Sequence, residues 1–105
     1  MRRRLRFSVG ARSDFARIAR WSEARWGVQQ RVRYVGEIRG RLDQLRERPQ
    51  LGPELGADHP HLRKLSVGSH VVLYRFDETL VFVVRILDQR MDIEARLNEL
   101  GDGGN

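Results

Sequence analysis

The chain has 105 residues, no cysteine, and twenty basic residues against fourteen acidic ones, for a net charge of +6. That length predicts one domain over residues 1–100 with one modest core rather than a deep enzyme cleft, since a chain of this size buries roughly 60–70% of its unfolded surface. Without cysteine there is neither a disulfide nor a thiolate metal site, which fits a reducing cytoplasm. No apolar run approaches the ~20 residues of a membrane span, so no membrane partner is expected.

The charge is unevenly placed. Residues 1–50 carry fourteen Arg against five acids, a net +9, and residues 51–105 carry a net −3. A basic half attracts polyanions or an acidic protein. The opening Met1-Arg2-Arg3-Arg4-Leu5 is basic, but few apolar residues follow, so it does not read as a signal peptide.

Residues 3–8 alternate polar and apolar, with Leu5 and Phe7 on one face, and predict a short first strand. Helix-start signals run from Ser8 to Ser13, with Ser13-Asp14 as the latest cap. Phe15, Ile18, Ala19, Ser22 and Trp26 then recur at helical spacing, and Gly27 ends the helix. A second helix follows at once. Its apolar stripe is Val28, Val32, Val35, Ile38, Leu42 and Leu45, and Pro49 stops it. Two long helices with so short a connection predict an antiparallel hairpin. Gly36 and Gly40 inside the second helix each cost ~1 kcal/mol against Ala. They imply either close packing against a neighbouring element or a bare ledge where a partner segment lies.

Residues 49–61 hold all three prolines and read as a long loop. His59 and His61 lie two apart without a third ligand in sight, so no metal is expected. Three strands follow: 62–67, a Gly68-Ser69 turn, 70–76, a turn at 77–79, and 80–87. Connections this short predict a meander. Leu80–Leu87 is too continuously apolar for a half-exposed strand, so it should be internal. A short third helix should start near Met91-Asp92, with Ile93, Leu97 and Leu100 as its apolar side. Residues 101–105 read as a frayed, disordered tail. The order is β-α-α-β-β-β-α, an α+β fold with the hairpin on a mainly antiparallel four-stranded sheet.

No nucleotide loop, nucleophile elbow or zinc motif is present, and no cofactor is expected. What remains is a basic set: Arg63, Lys64 and Arg75 as a groove, then Arg85 and Arg90. Alternation puts Arg75 with Val71 and Leu73, and Arg85 with Val81 and Val83; the register of the turn between them is open. A buried Arg is costly unless paired. Arg85 therefore either meets a carboxylate or opens onto a groove.

Several features in order resemble the ParE toxins of the RelE/ParE toxin–antitoxin superfamily over residues 3–97. They are Trp26-Gly27 at the hairpin corner, Arg48-Pro49 with Gly52 following, Leu62-Arg63-Lys64-Leu65-Ser66-Val67-Gly68-Ser69-His70, Tyr74-Arg75, and Arg85-Ile86-Leu87 leading to Arg90-Met91-Asp92. The resemblance implies one of two activities. RelE-like members cut mRNA on the ribosome, using basic side chains and typically a tyrosine near the C-terminus. ParE-like members inhibit DNA gyrase by binding, without catalytic residues. After Arg90 this chain has neither Tyr nor His, and a guanidinium is a poor proton shuttle. That departure favours the gyrase reading; a ribonuclease and a non-toxic binding member stay as alternatives. The resemblance further implies a cytoplasmic toxin and a cognate ParD-like antitoxin with an acidic C-terminal segment. DNA contact would come only through that antitoxin. Arg85, Arg90, Met91 and Asp92 are the expected target-binding residues, and Trp26, Arg33, Gly36, Gly40 and Arg41 the expected antitoxin-binding ones.

Overall fold

The computed structural model describes residues 2–100. Strand β1 (Arg4–Phe7) leads into helices α1 (Val9–Trp26) and α2 (Val28–Glu47), then strands β2 (Glu54–Gly56), β3 (His59–Val67), β4 (His70–Phe76) and β5 (Leu80–Asp88), and helix α3 (Ile93–Leu100). The sheet order is β1-β5-β4-β3-β2, with β1 parallel to β5 and the other pairs antiparallel. The expected α+β arrangement is present, but with five strands rather than four. The stretch read as a loop contains a 3-10 turn (Pro49–Leu51) and the short edge strand β2, and β3 starts three residues earlier than expected. Local pattern hides β2 because its three residues lie among prolines and glycines, and pairing with Arg63 and His59 is what extends them.

Ser8 caps α1. Its hydroxyl accepts from Ala11 N at 2.9 Å and donates to the Val84 carbonyl at 2.6 Å. Ser8 was inside the expected start region, but Ser13-Asp14 is not the cap. Gly27 joins the two helices at φ +91°, a conformation that L side chains rarely adopt, so one residue turns the chain. The residues expected as a frayed tail, 101–105, lie outside the described ones.

The hairpin covers one face of the sheet. Ala11, Ile18, Ile38, Leu42 and Leu45 pack there on Leu65, Val67, Val72, Tyr74, Val81, Val83 and Ile86. On the other face Leu97 and Ile93 of α3 pack on Leu62, Val71, Leu73, Val84 and Leu87. With β5 internal and apolar groups on both faces, its near-continuous apolar run is explained.

Tyr74 fastens the Pro49 turn to this core. Its buried hydroxyl donates to the Pro49 carbonyl at 2.6 Å and accepts from Gly52 N at 2.9 Å, and burial pushes its pKa up. A Cβ at Gly52 would run into the Lys64 carbonyl and the Tyr74 hydroxyl, so glycine is needed there. Tyr74→Phe leaves two buried backbone groups unpaired and should cost about 1–3 kcal/mol in urea unfolding. A loss under 0.5 kcal/mol, on the order of a neutral surface change, would show that this anchor is dispensable.

Candidate functional site

Arg85 finds a carboxylate. Its Nε and Nη2 donate to the two oxygens of Asp14 at 2.6 and 2.8 Å, and Ile86 N donates to Asp14 Oδ2 at 2.9 Å. Arg17 also pairs with Asp14. The register explains how a strand residue reaches a helix: Leu73 faces Arg85 but Tyr74 faces Val83, so β5 carries one extra residue, a bulge. Bulges re-aim side chains, and here Arg85 and Ile86 both serve the hairpin side. Gly10 makes room for it, since a Cβ there would lie 3.0 Å from Arg85 Cδ. Arg85 is 9% exposed and Asp14 fully buried. Burial pushes the Asp14 carboxyl up, but the hydrogen bonds from Arg85 and Ile86 and the charges of Arg85 and Arg17 outweigh it, leaving it below its ordinary value. Arg85 therefore occupies an internal ion pair, and its expected place on a binding surface is corrected to a structural one.

Arg90 is the opposite case. Its side chain is 84% exposed, and it is stretched along Asp88, with Nε and Nη2 each 3.1 Å from a carboxylate oxygen. The guanidinium and the Arg90 backbone N–H hold the Asp88 carboxyl down at about 2. Met91 is exposed, and Asp92 accepts from Ala95 N at 3.1 Å as the cap of α3. Beside them stands the hairpin corner. Trp26, expected on the buried stripe of α1, is instead 51% exposed. It packs edge-on to Trp21 at 5.1 Å, with the Arg25 guanidinium 5.6 Å from its ring centre. A cleft of about 310 Å³ is lined by Trp21, Arg25, Trp26, Ser69, Asp88 and Arg90, among others. The structure thus brings Trp26 and Arg90, assigned to different partners, to one place.

Behind this cleft lies a polar link absent from the sequence reading. The Tyr34 hydroxyl is 2.6 Å from His70 Nδ1 and accepts from Ser69 N at 3.1 Å, while Trp21 packs on the His70 ring at 5.5 Å. Burial lowers the His70 pKa, partly offset by the Asp88 and Asp14 carboxylates. The Val-Gly-x-His turn was visible; its helix partner, 36 residues away, was not.

The outer face of the hairpin holds the other expected residues. Steps of four place Val28, Val32, Gly36 and Gly40 of α2 in one row. Val28 and Val32 are exposed rather than core residues, and a Cβ at Gly36 or Gly40 would touch nothing within 4 Å. Close packing does not account for these glycines, which leave the exposed face of α2 bare. A groove of about 410 Å³ runs beside them, lined by Phe15, Ala16, Ala19, Val32, Val35 and Gly36, with Arg31 and Arg39 at its edges. Arg39 lies over the Phe15 ring at 5.2 Å. Arg33 is exposed nearby, and Arg41 bonds Gln44 at 2.9 Å.

Arg63, Lys64 and Arg75 do not form one groove. Arg63 belongs to the hairpin side, donating to the Gly52 carbonyl at 2.8 Å. Lys64 and Arg75 are exposed on the α3 side. His59 turns inward, its Nε2 3.3 Å from Glu94, while His61 stays exposed. No group of three or more His, Cys, Asp or Glu residues suited to a metal occurs among the described residues, and no described helix is long and apolar enough to cross a membrane.

The model of the ParE toxin of the type II toxin–antitoxin system, parDE, matches residues 5–93. Toxin ParE1 of Mycobacterium tuberculosis is 40% identical over 74 residues, 70% of this chain and 76% of the relative. Toxin ParE1 of Caulobacter vibrioides is 35% identical over 92 residues, 88% of this chain and 95% of the relative. In fold, a chain of the chromosomal ParDE toxin–antitoxin system of P. aeruginosa superposes with a TM-score of 0.70 at 17% identity, over 82% of this chain and 95% of that one. One from the toxin–antitoxin complex RelBE2 of Mycobacterium tuberculosis gives 0.65 at 20% identity, over 84% and 99%. With the family model spanning most of the chain and relatives this similar, the chain belongs to the family of ParE toxins of type II toxin–antitoxin systems.

Proposed function

We propose that this chain is a toxin that inhibits DNA gyrase by occupying it, without turnover, and that a cognate ParD-like antitoxin restrains it. The observation that carries the target reading is the exposed Trp26 and Arg90 lining one cleft, with Arg90 held outstretched by Asp88 and the exposed Met91 next to it in the chain. Trp, Arg and Met are enriched in interface cores, and Trp and Arg dominate their energetics. A guanidinium whose pKa is raised further by its bond to Asp88 binds charge and does not shuttle protons. Expression of the chain alone in a bacterium should induce the DNA-damage response and filamentation. Rapid arrest of translation would instead favour RNA cleavage.

The antitoxin reading rests on the hairpin groove. An apolar trough between Arg31 and Arg39 suits an amphipathic segment with acidic flanks that folds on binding. Association should slow by at least tenfold from low to high salt, because long-range steering is screened. Stopped-flow rates that do not change with salt would remove the electrostatic part of this reading. The ribonuclease reading draws on the Tyr34–His70 pair, but His70 is buried and the Tyr34 hydroxyl is engaged with the β3–β4 turn.

A further inference from the structure

A second basic surface lies on the α3 side of the sheet, away from both sites above. Leu5 and Phe7 pack against the hairpin cluster, so Arg4 and Arg6 of β1 project from the opposite face. The register then sets a row across three strands: Arg6 pairs with Phe82, and Phe82 with Arg75. Lys64 stands diagonal to Arg75, opposite Leu73. Helix α3 covers Val71, Leu73 and Leu87 towards the other end of this face, and the Arg6–Phe82–Arg75 end is left as an open hollow of about 470 Å³.

Arg4, Arg6, Lys64 and Arg75 make no ion pair with a carboxylate among the described residues. The one carboxylate lining the hollow is Asp77. It is taken up by its own turn, accepting from Thr79 N at 2.8 Å and Leu80 N at 2.9 Å. The Arg75 guanidinium lies over the half-buried Phe82 ring, 4.7 Å from its centre. A planar cation thus already occupies a ring face that a nucleobase could take.

We infer that this face is a platform for single-stranded nucleic acid, with Phe82 stacking one base and Arg4, Arg6, Lys64 and Arg75 contacting phosphates. Neighbouring strands lie ~4.8 Å apart, so Arg6 and Arg75 flank the ring at about 10 Å from each other. Arg75 swings off Phe82 as a base stacks, and its planar fork then engages a phosphate. An acidic peptide would use the charges but not the ring. A base uses both, and stacking tolerates any sequence. The chain would then touch nucleic acid itself, where the sequence reading left DNA contact to the antitoxin. This inference stands apart from the gyrase reading.

The test is fluorescence anisotropy of the purified chain with labelled oligothymidine and oligouridine of about 16 nucleotides, within the span of known single-strand sites. Four phosphate contacts predict a log–log salt slope of roughly −2.8. Phe82→Leu should weaken binding about tenfold, the lower half of the stacking range, with the far-UV circular dichroism of the folded chain retained. Arg6→Ala with Arg75→Ala should reduce the slope by about half. Either oligonucleotide binding in this way supports the platform, and the ratio of the two affinities tells DNA from RNA. Equal binding by Phe82→Leu, equal affinity for a duplex of the same length, or equal loss on removing Arg31 and Arg39 would reduce the effect to general positive charge and overturn the inference.

Discussion

Asp14→Ala should cost about 3–5 kcal/mol, a large part of the whole stability of a domain this small. The carboxylate has three partners: Arg85, Arg17 and the Ile86 N–H. Removing it strands a buried guanidinium and a buried amide at the centre of the α1–β5 contact. Urea unfolding measures the loss. Replacing both charges, as Asp14→Leu with Arg85→Met, should recover most of it, since a buried ion pair is often no better than apolar packing. Recovery stays incomplete because Ile86 N–H still lacks its acceptor, at a cost of about 1–3 kcal/mol. If Arg85 acted on the target, the doubly substituted chain would fold and yet lose toxicity. The internal pairing predicts that it stays toxic.

The same pair sets an acid limit. The Asp14 pKa in the folded state lies below its unfolded value near 3.8. Its contribution is therefore full above that value and is lost as pH falls through the lower folded one. Asp88, held at about 2 by Arg90, acts in the same direction but pairs with a side chain in open solvent and adds little. Acid unfolding should begin below about pH 4 and shift upward in Arg17→Ala. A transition that stays in place would leave the Arg17 charge without effect on Asp14.

Arg90→Ala should raise the concentration needed for half-inhibition of gyrase by about thirtyfold or more, as expected for an interface anchor worth ~2 kcal/mol or more. Stability should change little, because the Arg90–Asp88 pair is exposed and such pairs contribute ~0–1 kcal/mol. Antitoxin binding along the Phe15–Gly36 groove should survive. Full potency in Arg90→Ala would return Arg90 to the role of a surface pair for Asp88. Trp26→Ala tests the shared cleft: a loss of potency matching that of Arg90→Ala places both residues in one contact.

What the sequence made legible follows its short-range physics. Helical spacing in α1 and α2, the single glycine between them and the tight turns of the meander were all readable, because each depends on residues within a few positions. Asp14 reads as a possible cap because Asp is a good cap anywhere near a helix start, whereas its partner lies 71 residues on. The bulge that turns Arg85 towards it has no local signature in a run that is otherwise apolar. Val28, Val32 and Trp26 fall on the apolar stripes because periodicity reports an apolar face, not whether an element covers it. The corner of the hairpin extends past that cover, and the exposed apolar residues there are the ones the two proposed sites use. β2 has no local signal because its strand character comes from its partner, β3.

Titration of the purified chain into a gyrase supercoiling assay, with ribosome-bound mRNA assayed alongside, tests inhibition by occupancy most directly. Occupancy predicts inhibition that saturates near one toxin per active gyrase complex, is relieved by antitoxin, and leaves the mRNA intact. Cleavage of that mRNA at codon-defined positions by substoichiometric protein, with supercoiling unaffected, would contradict it.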